Sequence, residues 1–196
     1  MAKSLTHVVT GKVRLSYAHV WEAEQINGQG DPKYSVSIII PKSDTQTLGR
    51  IQEAIKEAYA NGQSKLKGNG KVAPSLDVLK KPLRDGDAER AGDEAYKGAM
   101  FLNATRKATA GAPRMIDRAM NPIIDREEVY SGCYARVSLD FYAFNAAGNR
   151  GIACGLGNIQ KIEDGDRLGG GSTPEEDFTP YGESIAADDA AAAMLS

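Results

Sequence analysis

The chain has few of the residues from which catalytic and metal sites are usually built. Its two histidines, His7 and His19, lie near the N-terminus, and neither has a Cys or His partner at metal-ligand spacing. No glycine-rich phosphate-binding loop precedes a predicted helix. We therefore expect a protein that is not an enzyme and uses no cofactor or metal, although catalysis by carboxylates alone stays open.

Cysteines and long apolar runs are also scarce. Cys133 and Cys154 lie in apolar, strand-like runs, and two cysteines make no disulfide framework, so we expect buried, reduced thiols. No apolar run approaches the roughly 20 residues that span a bilayer. The basic segment 1–7 lacks the apolar stretch of a secretory signal. This composition indicates a cytoplasmic protein without a membrane partner.

Basic residues are absent from the last 29 positions. Residues 1–167 carry 24 basic and 20 acidic side chains, a net charge of +4, whereas the remainder carries six acidic side chains. We predict one domain at 1–168 and a flexible acidic C-terminal tail at 169–196, which opens with three glycines. This split suits a body that binds an anionic partner and a tail that competes for that surface or recruits another protein. The plainer alternative is a tail that only maintains solubility.

The first third of the chain reads as three strands and a helix. Alternating apolar residues predict strands at 12–17, 21–26 and 34–40. In the first of these, Val13, Leu15 and Tyr17 are expected to share the buried face. Helical spacing then predicts one helix between a capping box at 43–46 and a glycine C-cap at Gly62.

The rest of the body is a polar, basic stretch at 63–97 without sustained periodicity, followed by strands at 99–107, 133–144 and 151–162. In the long strand, the inward face is predicted to comprise Cys133, Ala135, Val137, Leu139, Phe141 and Ala143. This order suits a mainly β oligonucleotide/oligosaccharide-binding (OB) fold: a five-stranded Greek-key barrel with one helix after the third strand and long insertions. A mixed α+β sandwich is the alternative.

The outward face of the long strand carries Tyr134, Arg136 and Tyr142. Exposed rings stack on unpaired bases of any sequence, and arginine can pair with phosphate. We extend this candidate DNA-binding set to residues on neighbouring strands and loops: Lys12, Arg14, Tyr34, Phe101, Arg106, Lys107, Arg114 and Arg118. The alternative is that Tyr134 and Tyr142 pack beneath the 63–97 stretch.

Several blocks of the chain resemble successive blocks of the bacteriophage single-stranded DNA-binding proteins, in the same order over about residues 5–168. These blocks are 34–42, 81–87, 101–104, 130–137 and 151–161. The resemblance implies an OB fold, binding of single-stranded DNA without strong sequence preference, and a role in phage replication and recombination. It also implies an acidic C-terminal tail.

The expected partners are single-stranded DNA and, through the tail, phage replication proteins; a homodimer stays open. The candidate tail contacts are Glu175, Glu176, Asp177, Phe178, Asp188 and Asp189.

Two other functions are kept as alternatives. One is a phage structural or assembly protein that uses the barrel for packing. The other is a nuclease that binds a divalent ion through Asp117, Asp125, Glu127 and Glu128.

Overall fold

The structure, a computed structural model, describes residues 4–169 and residue 177. Its strands are β1 (His7–Val9), β2 (Val13–Ile26), β3 (Gln29–Pro41), β4 (Arg84–Asp85), β5 (Ala99–Lys107), β6 (Met115–Ile116), β7 (Tyr134–Ala146) and β8 (Asn149–Glu163). Its helices are α1 (Thr45–Asn61), α2 (Gln63–Lys67) and α3 (Gly86–Glu89). Short 3-10 turns lie at Leu76–Val78, Glu94–Tyr96, Ala108–Ala110 and Arg126–Glu128.

The five long strands close into a barrel in the order β7-β2-β3-β5-β8, and pairing of β7 with β8 completes the circle. Strands β5 and β8 run parallel, and the other neighbours in the circle run antiparallel. This is the predicted mainly β, OB-type barrel, and α1 follows the third strand as expected.

The first strands were only partly predicted. β1 was missed because three residues are too few to show a period. The expected strands at 12–17 and 21–26 are one strand, β2, whose pairing with β3 shifts register between Ser16 and His19. Asn27 and Gly28 both have positive φ, 54° and 68°, and form the tight turn from β2 to β3.

The barrel interior agrees with the predicted alternation. All six residues of the predicted inward face at 133–143 are buried, and so are Val36, Ile38 and Ile40 of β3. Cys133 and Cys154 are buried free thiols, and their desolvation raises both pKa values. Helix α1 begins where the Asp44 carboxylate accepts a hydrogen bond from Thr47 N, and it packs mainly on β7.

The insertion between α1 and β5 is built from short elements tied down by side chains. Lys42 Nζ lies 2.9 Å from Asp85 and 2.7 Å from Asp87, and these bonds lower the pKa of both carboxyl groups. Tyr96 is buried against Phe101 with ring centroids 5.1 Å apart. The insertion is thereby held against the outer surface of β3 and β5. Among the described residues, no helix is long and apolar enough to cross a membrane.

Candidate nucleic-acid interface

Tyr17 points out of the barrel, so the prediction that it shares the buried face of Val13 and Leu15 is wrong. Its side chain is 53% exposed, whereas both of those residues are buried. The reversal occurs where β2 shifts register, and Tyr17 itself has a left-handed backbone with φ 45°. One residue in that conformation breaks the two-residue alternation of the strand.

Arg90, immediately after α3, packs against the exposed Tyr17 ring. Its guanidinium carbon lies 5.4 Å from the Tyr17 ring centroid and 5.3 Å and 5.7 Å from those of Tyr96 and Phe101. The Tyr96 hydroxyl in turn donates to Ser37 Oγ at 3.1 Å. Buried aromatic contacts from the insertion therefore hold a cation beside one exposed ring.

A cavity of about 610 Å³ opens beside Tyr17 on the outer surface of β2, β3 and β5; we call it the strand groove. Because Val36 and Ile38 point inward, the alternating Ser35 and Ser37 point outward into it. Its full lining is Tyr17, His19, Glu24, Gln25, Ile26, Asn27, Ser35, Val36, Ser37, Arg90, Asn103 and Thr105.

A second cavity, of about 550 Å³, also borders Tyr17; we call it the C-terminal pocket. Tyr17 and His19 line both cavities, and Leu168 and Gly169 line this one. Arg167 is fixed nearby, 2.7 Å from Glu127 and 4.4 Å from the Tyr130 ring centroid. The last residues of the body thus end beside the exposed tyrosine.

Charges in the strand groove are mixed. His19 Nδ1 lies 3.1 Å from Glu24 within the groove. The outward-facing residues of β3 and β5 form a row of cross-strand pairs, which we call the outward row. It begins with the pair of Ile39 and Phe101, where Arg90 lies over the Phe101 ring, and ends with the pair of Lys33 and Lys107. Lys107, which the sequence nominated, therefore stands at one end of this row.

Three of the candidate residues, Lys12, Arg14 and Tyr134, meet where β2 begins beside β7. The Tyr134 ring lies 5.4 Å from Lys12 Nζ and 5.5 Å from Arg14 Cζ. The segment after β8 partly covers this cluster, since Arg14 donates to Asp166 O at 2.7 Å and a side chain at Gly165 would strike the Tyr134 ring. Tyr134 is consequently half-buried rather than open.

Arg136 and Tyr142 lie on the same side of β7 as Tyr134 but form no common platform with it. Arg136 is exposed, and its Nε donates to Thr10 O at 3.2 Å. Tyr142, 46% exposed, is eight residues and roughly 26 Å along the strand from Tyr134. It borders a separate cavity of about 640 Å³ next to α1 and α2, and burial of its ring raises its pKa.

Tyr34 and Arg106 face each other across β3 and β5 at the end of the barrel. They alternate with the groove residues, so they do not line the strand groove. Arg106 donates to Gly111 O at 2.7 Å and to Ala110 O at 2.8 Å, which fixes the turn after β5.

Arg114 and Arg118 are exposed on the segment around β6. Arg118 lies in a turn that Asp117 closes by accepting hydrogen bonds from Ala119 N and Asn121 N. Neither arginine lines the strand groove or the C-terminal pocket.

Phe101 corrects another expectation. It is fully buried, in edge contact with Tyr96 and beneath Arg84 and Arg90. Phe101 was expected to contact DNA, but the insertion covers this part of the outer surface of the barrel. A base has no access to this ring.

The four acids of the nuclease alternative already have partners. Asp125 caps a turn through Glu127 N, Glu127 pairs with Arg167, and Glu128 lies 2.8 Å from Lys161. Hydrogen bonds from Asn121 and Ala119 lower the pKa of Asp117. The described part of the chain contains no group of three or more His, Cys, Asp or Glu side chains arranged to hold a metal ion. These contacts are those of ordinary surface pairing.

The tail candidates Glu175, Glu176, Phe178, Asp188 and Asp189 lie outside the described residues, and Asp177 is exposed. The sequence pattern predicted neither the outward orientation of the Tyr17 ring nor its contact with Arg90. No sequence signal marks the left-handed backbone at Tyr17, and Arg90 lies in the stretch that lacks periodicity.

A family model described as "Enterobacter phage Enc34, ssDNA-binding protein" matches residues 6–191. A relative described as "Putative protein p50", from Acyrthosiphon pisum secondary endosymbiont phage 1, is 33% identical over 173 residues. That match covers 85% of this chain and 89% of the relative.

Solved structures with the same fold include the single-stranded DNA-binding protein from bacteriophage Enc34 in complex with ssDNA. That match has 24% identity and a TM-score of 0.70, and covers 84% of this chain and 90% of the other. Another is gp2.5, a single-stranded DNA-binding protein encoded by bacteriophage T7, with 16% identity, a TM-score of 0.59, and coverage of 90% and 96%. At these identities, the structural likeness shows the fold alone.

Proposed function

Since the chain belongs to the family of the Enterobacter phage Enc34 ssDNA-binding protein, we propose that it binds and protects single-stranded DNA without strong sequence preference. The observation that carries this proposal is the exposed Tyr17 ring, backed by Arg90, at the border of the strand groove. Family membership agrees with the resemblance read from the sequence blocks.

The geometry favours unpaired strands. A base can stack on Tyr17 only if its face is free, which duplex pairing and stacking prevent. Such stacking contributes roughly 1–3 kcal/mol per base and tolerates any sequence. A 610 Å³ groove on a barrel surface also lacks the projecting helix that reads the major groove of a duplex.

Cations at both ends of the groove would hold the phosphates. Arg90 stands at one end of the outward row, and Lys33 and Lys107 stand at the other. The body carries a net charge of only +4, so stacking and ion release would share the binding energy.

The strand would then continue past Tyr17 along β2 toward the cluster of Lys12, Arg14 and Tyr134. The C-terminal pocket shares Tyr17 with the groove and is also lined by Ser16, two residues from Arg14 on β2. The remaining nominated residues (Arg136, Tyr142, Tyr34, Arg106, Arg114 and Arg118) lie on other surfaces and are secondary contacts in this proposal.

We assign the acidic tail to competition with DNA or to recruitment of replication proteins in the host cytoplasm. Gly169 lines the C-terminal pocket beside Tyr17, so the chain leaves the body next to the proposed site. Six acids without a compensating base would be attracted to the same cations as phosphate. The role belongs to DNA replication and recombination and includes no catalytic step.

The test is a titration of the full chain with labelled single-stranded, duplex and RNA oligomers of equal length over a salt series, with and without Mg²⁺. We expect retardation of the single strand, weaker binding of the duplex, and affinity that falls with salt. Cleavage of the oligomer would support the nuclease alternative instead. No salt-sensitive binding at all would support the structural-protein alternative.

A further inference from the structure

The floor of the strand groove consists of neutral polar side chains. Ser37 faces Asn103 across β3 and β5, and Ser35 faces Thr105 two residues further along each strand. All four residues line the groove together with Tyr17. We call Ser35, Asn103 and Thr105 the polar floor, because Ser37 is buried and hydrogen-bonded to the Tyr96 hydroxyl.

The polar floor has unused hydrogen-bonding capacity. Asn103 is exposed, and Ser35 and Thr105 are half-buried. None of the three side chains makes a hydrogen bond to another described residue, whereas Gln25 donates to Gly30 O and His19 is paired with Glu24. Donors and acceptors are thus presented to whatever occupies the groove.

The neutrality of the floor indicates which part of a nucleotide it meets. Lys33 and Lys107 lie beyond the floor at one end and Arg90 lies at the other, so phosphates have cationic partners outside it. Hydroxyl and carboxamide groups instead suit the edges of bases, which present hydrogen-bond donors and acceptors. An unpaired base also exposes its Watson–Crick edge.

We infer that the polar floor hydrogen-bonds the edges of bases that enter the groove, with Asn103 as the principal contact. This inference rests on the proposed function. A carboxamide presents a donor beside an acceptor, and each of the four bases carries an adjacent donor and acceptor on its Watson–Crick edge. Asn103 can therefore hydrogen-bond any base by turning its amide, which adds affinity without strong sequence preference.

The test compares a thymidine oligomer with one in which 2,4-difluorotoluene replaces thymine, an analogue of similar shape with little capacity for hydrogen bonding. The full chain should bind the analogue oligomer about two- to tenfold more weakly. Asn103→Ala should lose most of this discrimination. Thr105→Val, which removes a hydroxyl at constant shape, should lose part of the discrimination.

Gln52→Ala is the matched control, since Gln52 is an exposed amide on α1, away from the groove. It should discriminate as the unsubstituted chain does, and equal melting temperatures would verify the fold of each variant. Equal or tighter binding of the analogue by the unsubstituted chain would overturn the inference, as would full discrimination by Asn103→Ala. If neither oligomer binds, the proposed function fails and this inference fails with it.

Discussion

At the scale of single residues, Tyr17 has an exposed ring and a backbone conformation that is unfavourable for residues other than glycine. A left-handed conformation costs a non-glycine residue roughly 1–2 kcal/mol, and Tyr17 has φ 45°. Strain of this kind collects at binding sites, where the surrounding structure holds it in place. We therefore propose that the role of Tyr17 is contact with a ligand rather than stability.

Tyr17→Gly separates these two roles. Glycine relieves the backbone strain, which stabilises the fold. It also removes the contact with Arg90 and raises the conformational entropy of the unfolded chain, and both effects destabilise the fold. Because these effects oppose each other, the free energy of unfolding should change by less than about 1 kcal/mol. Affinity for a thymidine oligomer should fall about tenfold or more. Urea denaturation and a binding titration measure both quantities. A large loss of stability with unchanged binding would show that the role of Tyr17 is structural.

Phe101 should behave in the opposite way. Because its side chain is fully buried against Tyr96, Phe101→Ala should lower the free energy of unfolding by about 3–5 kcal/mol. Phe101→Leu fills more of the cavity and should cost less. Chemical denaturation of both variants checks this order. Undiminished stability together with lost DNA binding would restore the stacking role suggested by the sequence.

These two residues show where prediction from the sequence stops at this scale. The strand period assigns Tyr17 to the buried face, and Phe101 was expected to be open to DNA; both expectations are wrong. The left-handed backbone of Tyr17 reverses the direction of its own side chain, and the insertion, whose path the sequence does not predict, covers Phe101. Neither cause has a signal in the residues themselves.

At the scale of elements, the long periodic segments were predictable. Helix α1, strand β5 and the inward face of β7 agree with their patterns, since regular burial imposes regular spacing. The insertion at 63–97 was not, because its short elements are fixed by individual ion pairs and caps. Arg90, a central residue of the proposed site, comes from this insertion.

Lys42 gives a test of how the insertion is held. Its hydrogen bonds lower the pKa values of Asp85 and Asp87 below their ordinary values. A lowered carboxyl pKa stabilises the fold above the unfolded pKa of about 3.9, and the contribution disappears as pH falls through the folded pKa. Lys42 itself stays charged throughout this range, since the same hydrogen bonds raise its pKa.

Lys42→Met should therefore be less stable than the unsubstituted chain at neutral pH, and the difference should shrink as the pH falls below about 4. Urea denaturation at a series of pH values measures it. The control is Lys56→Met, since Lys56 is exposed on α1 and has no ion pair among the described residues. A difference that grows in acid would contradict the proposed coupling.

At the scale of the whole molecule, the dominant feature is the division of charge between a basic body and an acidic tail. The order of elements and the sequence blocks were enough to predict both the barrel and the family, which are confirmed. The binding face could not be assigned in the same way. Tyr134 and Tyr142 were grouped as one face, but they lie roughly 26 Å apart along β7, and Tyr17 lies on β2.

Deleting residues 170–196 should tighten binding of single-stranded DNA several-fold at low salt, because the tail no longer competes with phosphate, and salt dependence should become flatter there. Fluorescence anisotropy over a salt series measures the change. A chain of full length with its six tail acids changed to amides should behave like the deletion. Equal affinity of all three proteins at low salt would exclude competition by the tail.

The central claim is that unpaired bases stack on Tyr17 in the strand groove. Photo-crosslinking with an oligomer that contains 5-iododeoxyuridine, followed by mass spectrometry of the peptides, identifies the ring in contact with a base. The account predicts a principal crosslink at Tyr17 that disappears with excess unlabelled single-stranded DNA. A principal crosslink at Tyr142, with none at Tyr17, would contradict it.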